Sequence, residues 1–333
     1  METLGFPLRT EAVLRTLTLD VVKSSEIEGA LLDKAEVRSS IARRLGVDIG
    51  DTVPASRNVE GVVEMMLDAT QNYDKPLIKE RLFAWHASLF PAGRSGMNAI
   101  KVSAWRDDSK GPTQVVSGPL GHERVHFEAP VASRLEREMT AFLDWLNADD
   151  GTDAVLRAGI AHLWFVTIHP FDDGNGRIAR AIADMILARS EESSQRFYSM
   201  SAQIRSERDT YYERLEEAQQ GTLDITKHLE WFLECLNHAF DSVESTVGTI
   251  LNKARFWDSH AGAAFNDRQR MMLNRLLEDF EGKLTSTKWA KLAKCSQDTA
   301  LRDILGLVGS GILTKDPGGG RSTSYSLKSD IDR

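Results

Sequence analysis

One run of twelve residues, His169-Pro170-Phe171-Asp172-Asp173-Gly174-Asn175-Gly176-Arg177-Ile178-Ala179-Arg180, constrains how the middle of the chain folds. An apolar segment, Ala158 to Ile168, leads into it. A second segment, with Ile178, Ala179, Ala181, Ile182, Met185, Ile186 and Leu187 at helical spacing, leads out. Two such segments around Pro170 and a Gly-x-Gly turn predict helix, tight turn, helix. Pro170 ends the first helix, and Phe171 is expected to plug the core. Gly174 and Gly176 expose the turn's backbone N–H groups at the start of the second helix. Unpaired donors and the positive end of the helix dipole hold a phosphate there.

The side chains of the run follow the same chemistry. Arg177 and Arg180 are three apart, so they share a helical face and can clamp more than one phosphate. Asp173 is a hard oxygen ligand beside that anion site, which suits Mg2+ shared with a di- or triphosphate. His169 titrates near neutrality and can accept a proton from an attacking hydroxyl. Asn175 offers a directional amide to a phosphate or sugar oxygen. Each residue alone is commonplace in a structural role; the constellation carries the functional reading.

The run resembles the signature of the Fic (filamentation induced by cAMP) family, H-P-F-x-D/E-G-N-G-R-x-x-R, at every position. The resemblance implies a protein adenylyltransferase that moves AMP from Mg-ATP to a Ser, Thr or Tyr hydroxyl of a protein. It implies His169 as base, Asp173 as the Mg2+ ligand and Gly174-Asn175-Gly176 as the phosphate cradle. Arg177 would reach toward the β-phosphate and Arg180 toward the γ-phosphate. Relatives that phosphorylate carry Lys at the place of Gly176, so glycine there implies AMP transfer.

Ser24-Ser25-Glu26-Ile27-Glu28-Gly29 closes a helical segment bearing Val13, Leu14, Leu17, Val21 and Val22. Ser24 and Glu28 share a face, and Gly29 can close the helix. Beside the signature this resembles the family's inhibitory motif, S/T-x-x-x-E-G/N, and Val37 to Ala42 resembles the region that precedes such cores. The expectation is a bidentate Glu28–Arg180 pair that keeps the guanidinium from the γ-phosphate. Whether Glu28 is a brake alone, or also orients a water that removes AMP from a target, is left open by the residues.

Thr113 to Gly118 and Arg124 to Glu128 are β-prone around a turn at Pro119-Leu120-Gly121, against a helical background. Composition alone fits a surface loop equally well. The family places a hairpin flap here whose open edge takes a target segment as an added strand. Val116, Ser117 and Gly118 are the expected edge. Further on, Ile204 to Tyr212 also resembles Fic sequence, with Tyr211 placed against adenine or, alternatively, packed in the core.

Helical periodicity covers Glu60–Asn72, Leu77–Phe90, Val131–Leu146, Asp153–Ile168, Ile178–Ala188, Ile204–Gln219 and Ile225–Leu251. His162 reads as a satisfied core histidine, and His86 and His126 have no partner at metal spacing. After about Gly262 come three short helical segments, Arg268–Glu278, Ser286–Lys294 and Gln297–Val308. Two β-prone stretches then flank a glycine-rich turn, an order that resembles a winged helix-turn-helix. The expected fold is mainly α: an N-terminal helical segment (1–58), a Fic helical core with a β-hairpin flap (59–260) and a winged-helix-like domain (261–333).

A formal net charge of -8 argues against a general nucleic-acid binder. Residues 266–333 hold twelve Lys/Arg against nine Asp/Glu. DNA contact through Arg302, Lys315 or Arg321 is therefore the weaker reading of that domain, with Asp298 and Asp303 opposing a phosphate. A protein or homodimer contact is the stronger one. The two cysteines, Cys235 and Cys295, lack metal or C-x-x-C spacing, so free thiols in a reducing compartment are expected. No leader pattern opens the sequence and no apolar run approaches membrane-spanning length, so the cytoplasm is expected and a membrane is not. The partners implied are ATP, a target protein and the chain itself as an acceptor. Two other outputs of the same residues stand as alternatives: AMP removal or transfer from another nucleotide, and DNA-binding regulation through the C-terminal domain.

Overall fold

A computed structural model describes residues 6–50, 52–109, 111–117, 124–277, 280, 282–317 and 323–328. Gly118, the turn at 119–121, Glu278 and Arg321 lie outside the described residues. The chain divides into two compact units, Met1–Glu244 and Ser245–Arg333.

The first unit opens with α1 (Phe6–Ile27), α2 (Lys34–Leu45), α3 (Arg57–Gln71) and α4 (Lys79–Leu89). A small antiparallel hairpin, β1 (Arg94–Ser95) and β2 (Asn98–Ala99), precedes a larger one, β3 (Gln114–Ser117) and β4 (Arg124–Glu128). Then come α5 (Leu135–Asn147), α6 (Ala154–Ile168), α7 (Asn175–Ser190), α8 (Met200–Ser206), α9 (Arg208–Gln220) and α10 (Thr226–Ser259), which runs on into the second unit. Local chemistry sets the boundaries. Asp33 caps α2 by accepting from Ala35 N and Glu36 N at 2.8 and 3.0 Å. Asp153 caps α6 in the same way, through Val155 N and Leu156 N.

α7 is the axis of this unit. Ile178 through Ala188 are all buried, and α1, α3, α4 and α6 pack on it. A helix buried on every side needs such a ring around it. Its one buried acid, Asp184, is paired with the buried Arg196. The segment expected as one helix over Ile204–Gln219 is two, α8 and α9, broken at Glu207. Ser199 caps α8 by accepting from Ala202 N at 3.0 Å. Its hydroxyl in turn donates to Asp20 of α1, which also accepts from Ser201 N at 3.1 Å. This ties the N-terminal helix to α8.

The second unit has α11 (Asp267–Leu276), α12 (Ser286–Leu292), α13 (Gln297–Gly309) and an antiparallel hairpin of β5 (Leu313–Lys315) and β6 (Tyr325–Leu327). They enclose a separate core around Trp289, Ile304 and Leu307. Asp303 corrects an expectation: it is turned inward, accepting from Arg268 Nε at 2.7 Å and Asn266 Nδ2 at 2.9 Å. It therefore does not oppose a phosphate, and the outward face of α13 carries Arg302 with the exposed Leu301 and Leu305. Cys235 and Cys295 are both free thiols. Among the described residues no helix is long and apolar enough to cross a membrane.

Candidate active site

α6 ends on His169, whose backbone is left-handed (φ 52°, ψ 57°). That conformation is unfavourable for a residue with a Cβ and persists only when neighbours hold it. Arg106 is the holder. Its Nε donates to His169 O at 2.7 Å and its backbone N–H to Pro170 O at 2.9 Å. Nη1 reaches Asp108 Oδ1 at 3.0 Å and Nη2 reaches Pro130 O at 2.5 Å. Below the loop, Phe171 is buried as expected, stacked on His86 with ring centroids 4.1 Å apart. His86 Nε2 donates to Asp173 O at 3.2 Å, which steadies the turn from the core side.

Asn175 departs from expectation. Its Oδ1 accepts from Phe171 N at 3.0 Å and its Nδ2 donates to Phe171 O at 2.8 Å, and the residue is buried. The amide is spent closing the loop and is not presented to a phosphate or sugar.

His169 and Gly176 line one cavity, while Asp173 lines another with Ser95 and Asp172. His169 donates from Nδ1 to Val166 O at 3.2 Å, so its proton sits on Nδ1 and Nε2 keeps a lone pair. Burial lowers its pKa, and Arg106 adds to this, so the ring is neutral at physiological pH. α7 begins at Gly174 (φ 85°), where a side chain would also press on the Phe90 ring at 2.9 Å. No side chain caps this helix end. Its first N–H groups are therefore an anion site by construction.

Asp173 stands beside that site with its carboxylate partly exposed; one oxygen accepts from Ser95 on β1, the other from Gly174 N. Arg177 lies 3.9 Å from the same carboxylate and 5.0 Å over the Phe90 ring. An accessible carboxylate next to an anion site suits a hard divalent cation that completes its shell with phosphate oxygens and water. Asp173 is thus a fitting Mg2+ ligand.

Arg180 is 2% exposed. Its Nε donates to Ser24 Oγ at 2.9 Å, and its Nη2 to Ser24 O at 2.8 Å and Glu28 Oε1 at 2.7 Å. Nη1 has no partner among the described residues. The expected two-pronged Glu28 contact is therefore corrected to a single prong: one carboxylate oxygen accepts from Nη2, which also donates to Ser24 O. Burial works against the charge of Arg180, but Glu28 together with Tyr211 and Tyr212 holds the pKa above its ordinary value.

A cavity of about 480 Å³ runs between this motif and the larger hairpin, walled by Glu28, Val115, Val116, His126, His169, Gly176, Tyr211, Tyr212 and Gln219 among others. Tyr211 lines it from the core: it is buried, with Oη 3.3 Å from His162 Nε2. The neighbouring Tyr212 is the more exposed ring and donates to Ile27 O at 3.4 Å. The hairpin register pairs Val115 with Phe127 and Val116 with Val125, leaving His126 as a bulge. A bulge re-aims its side chain, here toward the cavity wall. His126 and Arg124 both donate to Glu216 of α9, at 2.7 and 2.5 Å, and Gln220 Nε2 donates to His126 O at 2.5 Å. β4 is thereby fastened to α9. Among the described residues β3 pairs with no strand other than β4, so the edge at Val116 and Ser117 is open.

Residues 76–187 match the profile of the Fic/DOC family, and residues 1–47 that of a domain of unknown function, DUF4172. The chain is similar to the "Protein adenylyltransferase Fic" of Nematostella vectensis, at 34% identity over 34% of this chain and 25% of that protein. It is similar also to that of Culex quinquefasciatus, at 27% over 66% of this chain and 40% of that one. It therefore spans well under half the length of these relatives. In fold it resembles a Fic family protein from Desulfovibrio desulfuricans G20, with a TM-score of 0.54 and 22% identity, covering 100% of this chain and 91% of that one. A Fic-domain signaling protein from Bacteroides thetaiotaomicron gives 0.51 at 20%, covering 75% and 91%. The His169–Arg180 signature falls inside the segment, residues 76–187, that matches the Fic/DOC family.

Proposed function

We propose that the chain is a protein adenylyltransferase, transferring AMP from ATP to a Ser, Thr or Tyr hydroxyl of a protein, and that Glu28 inhibits it. The observation that carries this reading is that one cavity has His169, Gly176 and Glu28 on its wall, at the uncapped start of α7. The phosphates lie along the first turn of α7, with Arg177 and Arg180 as counter-charges. His169 Nε2 takes the proton of the attacking hydroxyl while the hydroxyl oxygen bonds to the α-phosphorus; the bond to the β-phosphate oxygen breaks and pyrophosphate leaves. Mg2+ held by Asp173 would neutralise charge on that leaving group. A target strand adds to the open edge of β3 at Val116 and Ser117, and this brings backbone pairing and little side-chain reading.

Glu28 occupies the guanidinium that a γ-phosphate would use, so release of Glu28 should raise turnover. Incubation with Mg2+ and α-labelled ATP, with and without cell protein, compares wild type, Glu28→Gly and Glu28→Gly/His169→Ala. Label should appear several-fold more strongly in the second and vanish in the third. Label absent from all three would overturn the reading in favour of AMP removal or another donor. For the second unit we propose a protein contact, a second copy included, because the exposed Leu301 and Leu305 on α13 suit an apolar surface better than a phosphate backbone.

A further inference from the structure

Gly176 stands in the first turn of α7 with a backbone that any residue can adopt, since it is not among the glycines of positive φ. What limits the position is its surroundings. A Cβ there would overlap Glu28 Oε1, stand 3.0 Å from Glu28 Cδ and 3.2 Å from Arg180 Nη1. All three neighbours are side-chain atoms, and the severe clash is with Glu28 alone.

The geometry points to Gly176 as the seat of the brake: the hydrogen at its Cα makes room for the Glu28 carboxylate, and one methyl there evicts it from Arg180. This rests on the reading of Glu28 as inhibitor. Eviction is selective because the two partners are held differently. Glu28 meets Arg180 through one oxygen, its side chain is 31% exposed, and it can swing outward. Its backbone is fixed, with Glu28 N and Ala30 N both donating to Ser25 O at 3.1 and 3.0 Å. Arg180 has two further contacts, both to Ser24, that do not involve Glu28. A methyl at 176 therefore leaves the guanidinium in place and removes only its carboxylate.

The test is a double-mutant cycle on the full chain without nucleotide: wild type, Glu28→Gly, Gly176→Ala and the double variant. Gly176→Ala should lower the melting midpoint of wild type by about 2–4 °C, and that of the Glu28→Gly chain by less than about 1 °C, because the carboxylate it displaces is already gone. Any general effect of alanine on helix propensity appears in both backgrounds and cancels. A Gly176→Ala chain that unfolds while the double variant folds is the same coupling in extreme form. Equal losses in both backgrounds, or failure of both to fold, overturn the inference. Binding of a non-hydrolysable ATP analogue to wild type and Glu28→Gly tests the inhibitory reading separately. Unchanged affinity there sinks that reading while the cycle still decides the steric one.

Discussion

Arg106 shows how far the geometry of the proposed site depends on a residue outside its reacting groups. It spends its donors on His169 O, Pro130 O and Asp108, and its backbone N–H on Pro170 O, pinning the left-handed turn that aims the imidazole. Lysine keeps the charge but has no planar fork to reach three acceptors at once. In the Glu28→Gly background, Arg106→Lys should lower kcat by about 10–100-fold, the scale of a small misplacement of a reacting group. KM for ATP should stay within about twofold; a change confined to KM would refute the positioning role. Nothing in the sequence near Trp105-Arg106-Asp107-Asp108 marks this arginine, because its key acceptor lies 63 residues away. The helix–turn–helix around the motif was legible, since its apolar spacing and its glycines are local. Asn175 was misjudged for a definable reason: an amide that suits a ligand also matches a peptide group, and Phe171's peptide is nearer. Helical spacing put Ser24 and Glu28 on one face, but it could not say which edge of Arg180 each would take.

Among the elements, α3 and α4 approach each other closely at Gly61. A Cβ at Gly61 would overlap Ser88 O and stand 2.6 Å from Ser88 C, and neither atom can move without its helix. Gly61→Ala should destabilise the fold by about 1–3 kcal/mol, read as a lowered denaturation midpoint at unchanged m-value. A loss no larger than that of an exposed Gly→Ala, such as at Gly309, would show that the helices separate freely. Apolar periodicity located most helices, because burial on one face repeats every turn. It missed the break at Glu207, where both flanking segments carry the same pattern and only the cap at Ser199 marks the start of α8. The two strands of the larger hairpin were legible from β-propensity. The bulge at His126 was not, because register depends on the partner strand. The outward face of α13 was misread for a similar reason: spacing cannot tell that Asp303 finds Arg268 inside its own unit.

At the scale of the molecule, three buried histidines set the acid limit. Burial holds His86 and His228 down to about 4 and His162 well below its ordinary value. They are neutral in the fold, while the unfolded chain takes up protons below about 6.5. Stability is therefore full above that pH and falls as pH drops toward 4, by roughly 1.4 kcal/mol per histidine per pH unit. Denaturation midpoints from pH 7 to 4.5 should show this slope, and His228→Asn should make it shallower; an identical slope in the variant would exclude the assignment. The central position of α7 has a different consequence. Arg180 is rooted in that axis, and its outer side is shared by Ser24 and Glu28, which end a helix anchored to α8 through Asp20. On the proposed reading a phosphate and Glu28 draw on one guanidinium, and thermodynamic reciprocity follows. Whatever factor the Glu28–Arg180 contact subtracts from nucleotide affinity, bound nucleotide subtracts equally from that contact. On that reading the Glu28 side chain at the end of α1 is both a lock on the site and a gauge of its occupancy.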